Sequence, residues 1–257
     1  MNQSRTTHAD GLADTTAIVT GAGRGFGRAI AAALVAAGAR VAGVARTRSQ
    51  LEEVRAQLGD AFTPVVADAA DPATADRLID EYRPRTLVLC AGATPPMAPL
   101  QEQTWETFSA NWNTDVAQAF HWVRRAVCQP LAPDSSVIVM SSGAAVNGSP
   151  LSGGYAGAKA TVRFIASYAA AESQRAGLGI GFTAVLPRLT PATDLGAAAV
   201  AAYAQRQGVD VDSFVQAAGP ALTAEQVGKS VLEIATGAAA DHDAYLLTAA
   251  GLSPLAA

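Results

Sequence analysis

Tyr155 is followed one helical turn later by Lys159, preceded thirteen residues earlier by Ser142, and lies downstream of a glycine-rich loop near the start of the chain. Lysine is scarce here: only Lys159 and Lys229 occur among 18 lysines and arginines, so a lysine four positions after a tyrosine is unlikely to be chance. On a helix, residues i and i+4 share a face, which sets the Lys159 ammonium beside the Tyr155 phenol. A neighbouring cation lowers a phenol's pKa from its ordinary value of about 10, and a phenol tuned this way exchanges a proton with a substrate oxygen near neutral pH. With the Ser142 hydroxyl close by, the chemistry these residue types suggest is interconversion of a carbonyl and an alcohol.

A second constellation is Thr20-Gly21-Ala22-Gly23-Arg24-Gly25-Phe26-Gly27, which follows an apolar run and opens a helical one. Glycines there permit a tight turn and let the backbone approach a pyrophosphate, whose charge the free amides of a helix start stabilise. A site for NAD would place an acid on the ribose at the end of the second strand. The chain instead reads Gly43-Val44-Ala45-Arg46, with Arg48 two positions on. Arg46, supported by Arg24, suits a 2′-phosphate, so the expected cofactor is NADP(H). Asp68, after the third strand, is placed to accept from an adenine amino group or to cap a turn before Pro72.

These groups need a frame, and the pattern supplies one. Apolar strand-like runs at 16–20, 40–45, 63–67, 86–90, 135–141, 180–186 and 244–248 alternate with helical stretches near 25–37, 48–58, 72–82, 103–129, 155–176 and 224–237. Such alternation predicts a doubly wound α/β fold, a Rossmann-type arrangement of seven parallel strands. Ser142 then closes the fifth strand, at the sheet end where such folds bind ligands. The segment 188–222 is too long for a plain connection and reads as a substrate loop. The helix at 155–176 is apolar on more than one face, a pattern expected at a subunit interface.

The chain has 257 residues, half of them hydrophobic and 16% charged, which suits one domain spanning 1–257 with a frayed start over 1–14. A net charge of −4 with scattered basic residues argues against nucleic acid as a partner. No apolar run reaches the length of a membrane span, and the first residues lack a secretory pattern. The two cysteines, Cys90 and Cys128, sit in apolar stretches without metal-ligand spacing; no metal site is expected, and the setting is read as reducing and cytoplasmic.

The combination Thr20-Gly21-x-x-x-Gly25-x-Gly27, Ser142 and Tyr155-x-x-x-Lys159 resembles the short-chain dehydrogenase/reductase family, over nearly the whole chain from Thr16 to about Leu252. The resemblance implies that Tyr155 is the general acid/base, that Lys159 tunes it and holds the nicotinamide ribose, and that Ser142 orients the substrate carbonyl. It also implies contacts to the cofactor from Ala91, Gly92, Pro187 and the residue after it, Arg188, and assembly as a homodimer or homotetramer. Three positions depart from the family pattern. Its Asn-Ala-Gly after the fourth strand reads Cys90-Ala91-Gly92, which removes an amide that steadies the sheet. Its helix asparagine aligns with Asp115, with Asn111 and Asn113 nearby. Its Pro-Gly after the sixth strand is Pro187-Arg188, where the arginine serves cofactor phosphate, an acidic substrate group or solvent.

The expected activity is NADPH-dependent reduction of a ketone or aldehyde in a small molecule. Candidate pocket segments 93–100, 144–151 and 188–222 are mostly small and apolar, favouring a neutral, partly lipophilic substrate. A biosynthetic ketoreductase or imine reductase of a specialised metabolite, and a non-catalytic NADP-binding protein, are the alternatives.

Overall fold

The computed structural model describes residues 11–239 and 242–255. The stretch 1–10, over which fraying is expected, lies outside them; Leu12, just after it, is buried, and its N–H donates to Ala37. One sheet runs through the molecule in the order β3-β2-β1-β4-β5-β6-β7-β8. Its strands are β1 (Thr16–Thr20), β2 (Arg40–Ala45), β3 (Phe62–Val66), β4 (Thr86–Leu89), β5 (Ser136–Met140), β6 (Gly181–Pro187), β7 (Ala244–Thr248) and β8 (Gly251–Pro254). The first seven pair in parallel, at the positions the apolar runs predict to within a residue or so. The eighth was not anticipated. Gly251–Pro254 folds back antiparallel on β7, a short edge strand carrying too little apolar pattern to be read as one.

The helices are α1 (Gly25–Ala36), α2 (Arg48–Leu58), α3 (Pro72–Tyr82), α4 (Trp105–Ser109), α5 (Ala117–Cys128), α6 (Ala144–Asn147), α7 (Gly153–Ala176), α8 (Asp194–Gln207), α9 (Val211–Ala218) and α10 (Ala224–Ala235). Strand residues alternate between two cores. Ile18, Leu87, Leu89, Val137 and Val139 face α3, α5 and α7, whereas Ala17, Val19, Val88 and Ile138 face α1, α2 and α10. Both sheet faces are therefore covered, which is why β4 and β5 are buried along their whole length.

Two stretches differ from their sequence reading. The long helix expected over 103–129 is broken: α4 is followed by one π-helical turn at Trp112–Val116 before α5. The substrate loop is not irregular but holds α8 and α9, capped by the Thr193 hydroxyl on the Gly196 N–H and the Asp210 carboxylate on the Ser213 N–H. Its two feet are tied where the buried Thr190 hydroxyl donates to the Leu222 carbonyl at 2.5 Å.

Candidate active site

The carboxyl ends of β1, β2, β4, β5 and β6 open into one cleft of about 1080 Å³. Its floor and walls include Gly21, Gly23 to Gly27, Arg46, Asp68, Ala91, Gly92, Asp115, Ser142, Tyr155, Lys159, Pro187 and Arg188. The fold thus gathers site candidates that are widely separated in the chain, because parallel strands all end on the same side.

At the nucleotide end, Gly21 adopts a positive φ of 69°, which a side-chain residue resists. A Cβ on Gly27 would lie 2.1 Å from the Gly21 carbonyl oxygen, so only glycine lets α1 start this close to the loop. No side chain caps α1, and its first amides are left facing the cleft. This cradle fits a pyrophosphate by shape and by charge. Arg46 is exposed at the end of β2 with no acid beside it in that strand. Arg24 lines the same region, but its guanidinium pairs with Asp194 of α8 at 2.9 Å. Asp68 spans its own turn, its carboxylate accepting from the Ala70 N–H at 2.9 Å, while still lining the cleft.

At the other end, Ser142, just before α6, and Tyr155, in the first turn of α7, are half-buried and line the same cleft, the serine accepting from the Ala144 N–H at 3.2 Å. Lys159 lies one turn below Tyr155, its ammonium 5.7 Å from the centre of the phenol ring. That ammonium is 8% exposed, donates to the Met140 carbonyl at 3.0 Å and lies 3.0 Å from Asp115 Oδ2. Burial opposes the lysine's charge; the Asp115 carboxylate, helped by Tyr155, more than reverses this and holds its pKa up at about 12. Lys159 is therefore a fixed cation throughout the physiological range.

Asp115 sits within the π-helical turn, 1% exposed. Its Oδ1 accepts from the Ala93 N–H at 2.8 Å and from the Asn111 amide at 3.3 Å, and Asn111 also donates to the Ala93 carbonyl. Asn111 thus supports the aspartate, while Asn113 is exposed. A Cβ on Gly92 would come within 2.9 Å of Asp115 Oδ2, so that glycine makes room for the carboxylate. The buried Asp115 thus lies in a π turn, a distortion that tends to mark functional sites.

The amide missing at Cys90 reappears at Gln118, which sequence reading did not single out. The Thr20 hydroxyl donates to Gln118 Oε1 at 2.6 Å, Gln118 Nε2 donates to the Ala91 carbonyl at 2.9 Å, and the Cys90 and Ala91 amides donate back to Thr20. The polar residue among apolar neighbours on the inner face of α5 was the available signal. Burial, partly offset by Lys159, pushes the Cys90 thiol up to about 11, so it is a neutral, unreactive group here. Cys128, expected in apolar surroundings, is exposed near the end of α5.

Tyr203 belongs to the 188–222 segment expected to form the substrate loop. It projects from α8 into the cleft, stacks against Phe214 at 6.4 Å between ring centres, and shares a hydrogen bond with Ser149, whose hydroxyl meets Ser152 at 2.6 Å. Among the described residues, no cluster of three or more His, Cys, Asp or Glu is placed to hold a metal ion, and no helix is long and apolar enough to cross a membrane.

Sheet order and glycine cradle define a Rossmann-type α/β protein, with its candidate site at the strand ends. The chain belongs to the short chain dehydrogenase family, whose pattern residues 15–222 match, and members of that family use a nicotinamide cofactor. It is 34% identical over 134 residues to L-xylulose reductase of Mesocricetus auratus, covering 51% of this chain and 54% of that one. It is 33% identical over 128 residues to Carbonyl reductase [NADPH] 2 of Sus scrofa, covering 49% and 52%. The matches therefore span about half the length of these relatives. In three dimensions it resembles a 3-ketoacyl-(acyl-carrier-protein) reductase from Brucella melitensis complexed with NADH, at a TM-score of 0.76 and 21% identity, over 92% of this chain and 97% of that one.

Proposed function

We propose that the protein is an NADPH-dependent reductase of a ketone or aldehyde in a partly apolar small molecule. The observation that carries this reading is the cluster at the strand ends: Ser142, Tyr155 and a permanently charged Lys159 around one cleft that begins in a phosphate-sized cradle. When bound, the nicotinamide supplies the hydride. Ser142 donates a hydrogen bond to the substrate carbonyl oxygen and fixes its position, and Tyr155 delivers the proton that oxygen takes up. Lys159 provides a fixed positive charge next to the phenol, where charge develops as the proton leaves. Asp115 and Met140 hold the ammonium in place, making them positioning groups. The α8–α9 lid limits water above the reacting atoms.

The choice of NADPH rests on Arg46 and Arg24 and on the absence of an acid at the end of β2; the named porcine relative is an NADPH enzyme, whereas the structural neighbour carries NADH. The test is oxidation of NADPH and NADH against a panel of ketones, aldehydes and cyclic imines. Tyr155→Phe should lower kcat at least about a hundredfold with cofactor binding retained. Arg46→Ala should lower the NADPH-over-NADH preference roughly tenfold through loss of a charge-assisted pair. NADH-only turnover would sink the cofactor choice, and turnover surviving in Tyr155→Phe would sink the mechanism.

A further inference from the structure

Two features at the carboxyl end of β6 have no part in the proton and hydride chemistry. One is Arg188, which replaces the small residue expected after Pro187. Its N–H donates to the Leu247 carbonyl at 2.8 Å, and the Gly143 N–H donates to the Pro187 carbonyl at 2.9 Å. The Arg188 Cα consequently lies 3.8 Å from where a Cβ on Gly143 would stand, immediately beside Ser142. Among the described residues no carboxylate is within ion-pair distance of its guanidinium. The second feature is a chamber of about 170 Å³ beneath the lid, walled by Leu189, Val200, Phe214, Val215, Pro220 and Leu222. Arg188, Leu189 and Phe214 line both this chamber and the main cleft, so the two adjoin at the arginine.

The position of Arg188 decides what anion it meets. Arg46 ends β2, and β6 is four strands away across the sheet, about 19 Å at the usual strand spacing. The glycine cradle lies at β1, three strands away, or about 14 Å. At the level of the strand ends Arg188 is thus three to four strands from those groups and one strand from Ser142, where the substrate carbonyl belongs, although the chain beyond it reaches the glycine loop at Asp194. The chamber's volume is comparable to the roughly 150 Å³ apolar cavities that take up a benzene-sized group.

We propose that Arg188 and the chamber form a substrate subsite selecting oxo acids with a short aliphatic arm, the carboxylate meeting the guanidinium and the arm entering the chamber. This rests on the carbonyl-reductase reading and replaces the neutral substrate suggested by the small apolar lining. The fork of an arginine matches a carboxylate in shape, and the apolar walls add chain-length selectivity without a polar partner to satisfy.

The test compares 2-oxohexanoate with its methyl ester, which keeps the carbonyl and the arm and removes the charge. The wild type should prefer the acid, and Arg188→Ala should reduce the acid-over-ester ratio of kcat/KM about tenfold, with Arg188→Lys between them. KM of the wild type should fall from 2-oxopropanoate to 2-oxohexanoate, and Ala218→Phe, which fills the chamber from α9, should erase that trend. An Arg188→Ala loss equal for acid and ester, or confined to the KM for NADPH, overturns the subsite. Calorimetric binding of 2-hydroxyhexanoate to the NADP⁺ complex separates the two readings. Binding that depends on Arg188 without turnover of any carbonyl rejects the reductase and keeps the anion site; turnover of acid and ester alike in wild type and variant does the reverse.

Discussion

Burying Lys159 in the cleft floor opposes its charge, and Asp115 overturns that balance from 3.0 Å away. Because the folded-state pKa of Lys159 rises from 10.5 to about 12, the pair stabilises the fold fully below pH 10.5, and that contribution, about 2 kcal/mol, is lost as pH climbs through 12. Removing the carboxylate leaves a buried, uncompensated ammonium, so Asp115→Ala should cost about 3–5 kcal/mol at neutral pH. In Asp115→Asn burial, the largest influence on the lysine, is opposed only by Tyr155 and Cys90, and the lysine pKa should fall below its usual value. That variant should regain stability with rising pH where the wild type is still flat. Urea midpoints at pH 7 and pH 10 check this: the gap between wild type and Asp115→Asn should narrow at the higher pH, and an unchanged gap would mean the ion pair is not what Asp115 contributes. Gln118 makes a second single-residue case. Gln118→Leu leaves the Thr20 hydroxyl and the Ala91 carbonyl without their amide partner, and should cost about 1–3 kcal/mol in denaturant unfolding while weakening cofactor binding.

At the scale of elements, what could be read from the sequence was whatever repeats or carries an unmistakable residue type. Seven strands announced themselves as continuous apolar runs because both faces of a parallel sheet are covered. The glycine loop and the Tyr155–Lys159 spacing were legible because their geometry is local. The π turn at Trp112–Val116 was not, since its one extra residue is imposed by packing Asp115 against Lys159 and Ala93, contacts 44 and 22 positions away in the chain. The role of Gln118 was hidden for the same reason: its partners lie on β1 and after β4. Within 188–222 alanine-rich composition concealed α8 and α9, although Thr193 and Asp210 mark both starts as caps. These two helices pack mainly on each other, and their polar links across the cleft are Arg24–Asp194 and Tyr203–Ser149. The first is largely exposed and adds little. Tyr203→Phe should therefore loosen the lid, lowering kcat/KM a few-fold for loss of one hydrogen bond of about 1 kcal/mol, with the unfolding midpoint of the body unmoved. A fall in global stability instead would make Tyr203 a packing residue of the core.

For the whole molecule, the unexplained surface is aromatic. Trp112, Phe120, Phe164 and Tyr168 are 42%, 50%, 47% and 66% exposed, and they come from α5, α7 and the turn between α4 and α5, which neighbour one another. Phe164 and Tyr168 stack one turn apart on α7, 6.1 Å between ring centres, with Arg163 over the Phe164 ring. Exposed aromatic side chains of this kind on neighbouring helices are characteristic of a surface that meets another protein. A second copy of the chain presents the same patch, so a two-fold arrangement would pair α5 and α7 with their counterparts. The helix concerned is also the one whose first turns carry Tyr155 and Lys159, and Phe164 lies only about 14 Å along its axis from Tyr155. Association would thus brace the helix that positions the proposed acid/base. Light scattering at micromolar concentration should give the mass of a dimer or tetramer. Placing two carboxylates in the centre, with Phe164→Asp and Tyr168→Asp together, removes roughly 3–6 kcal/mol of apolar burial per subunit and adds charge repulsion across the axis. The double variant should run as a folded monomer by scattering and circular dichroism, with a higher KM for the carbonyl substrate as the brace on α7 is lost. A monomer mass for the wild type at that concentration would rule the assembly out.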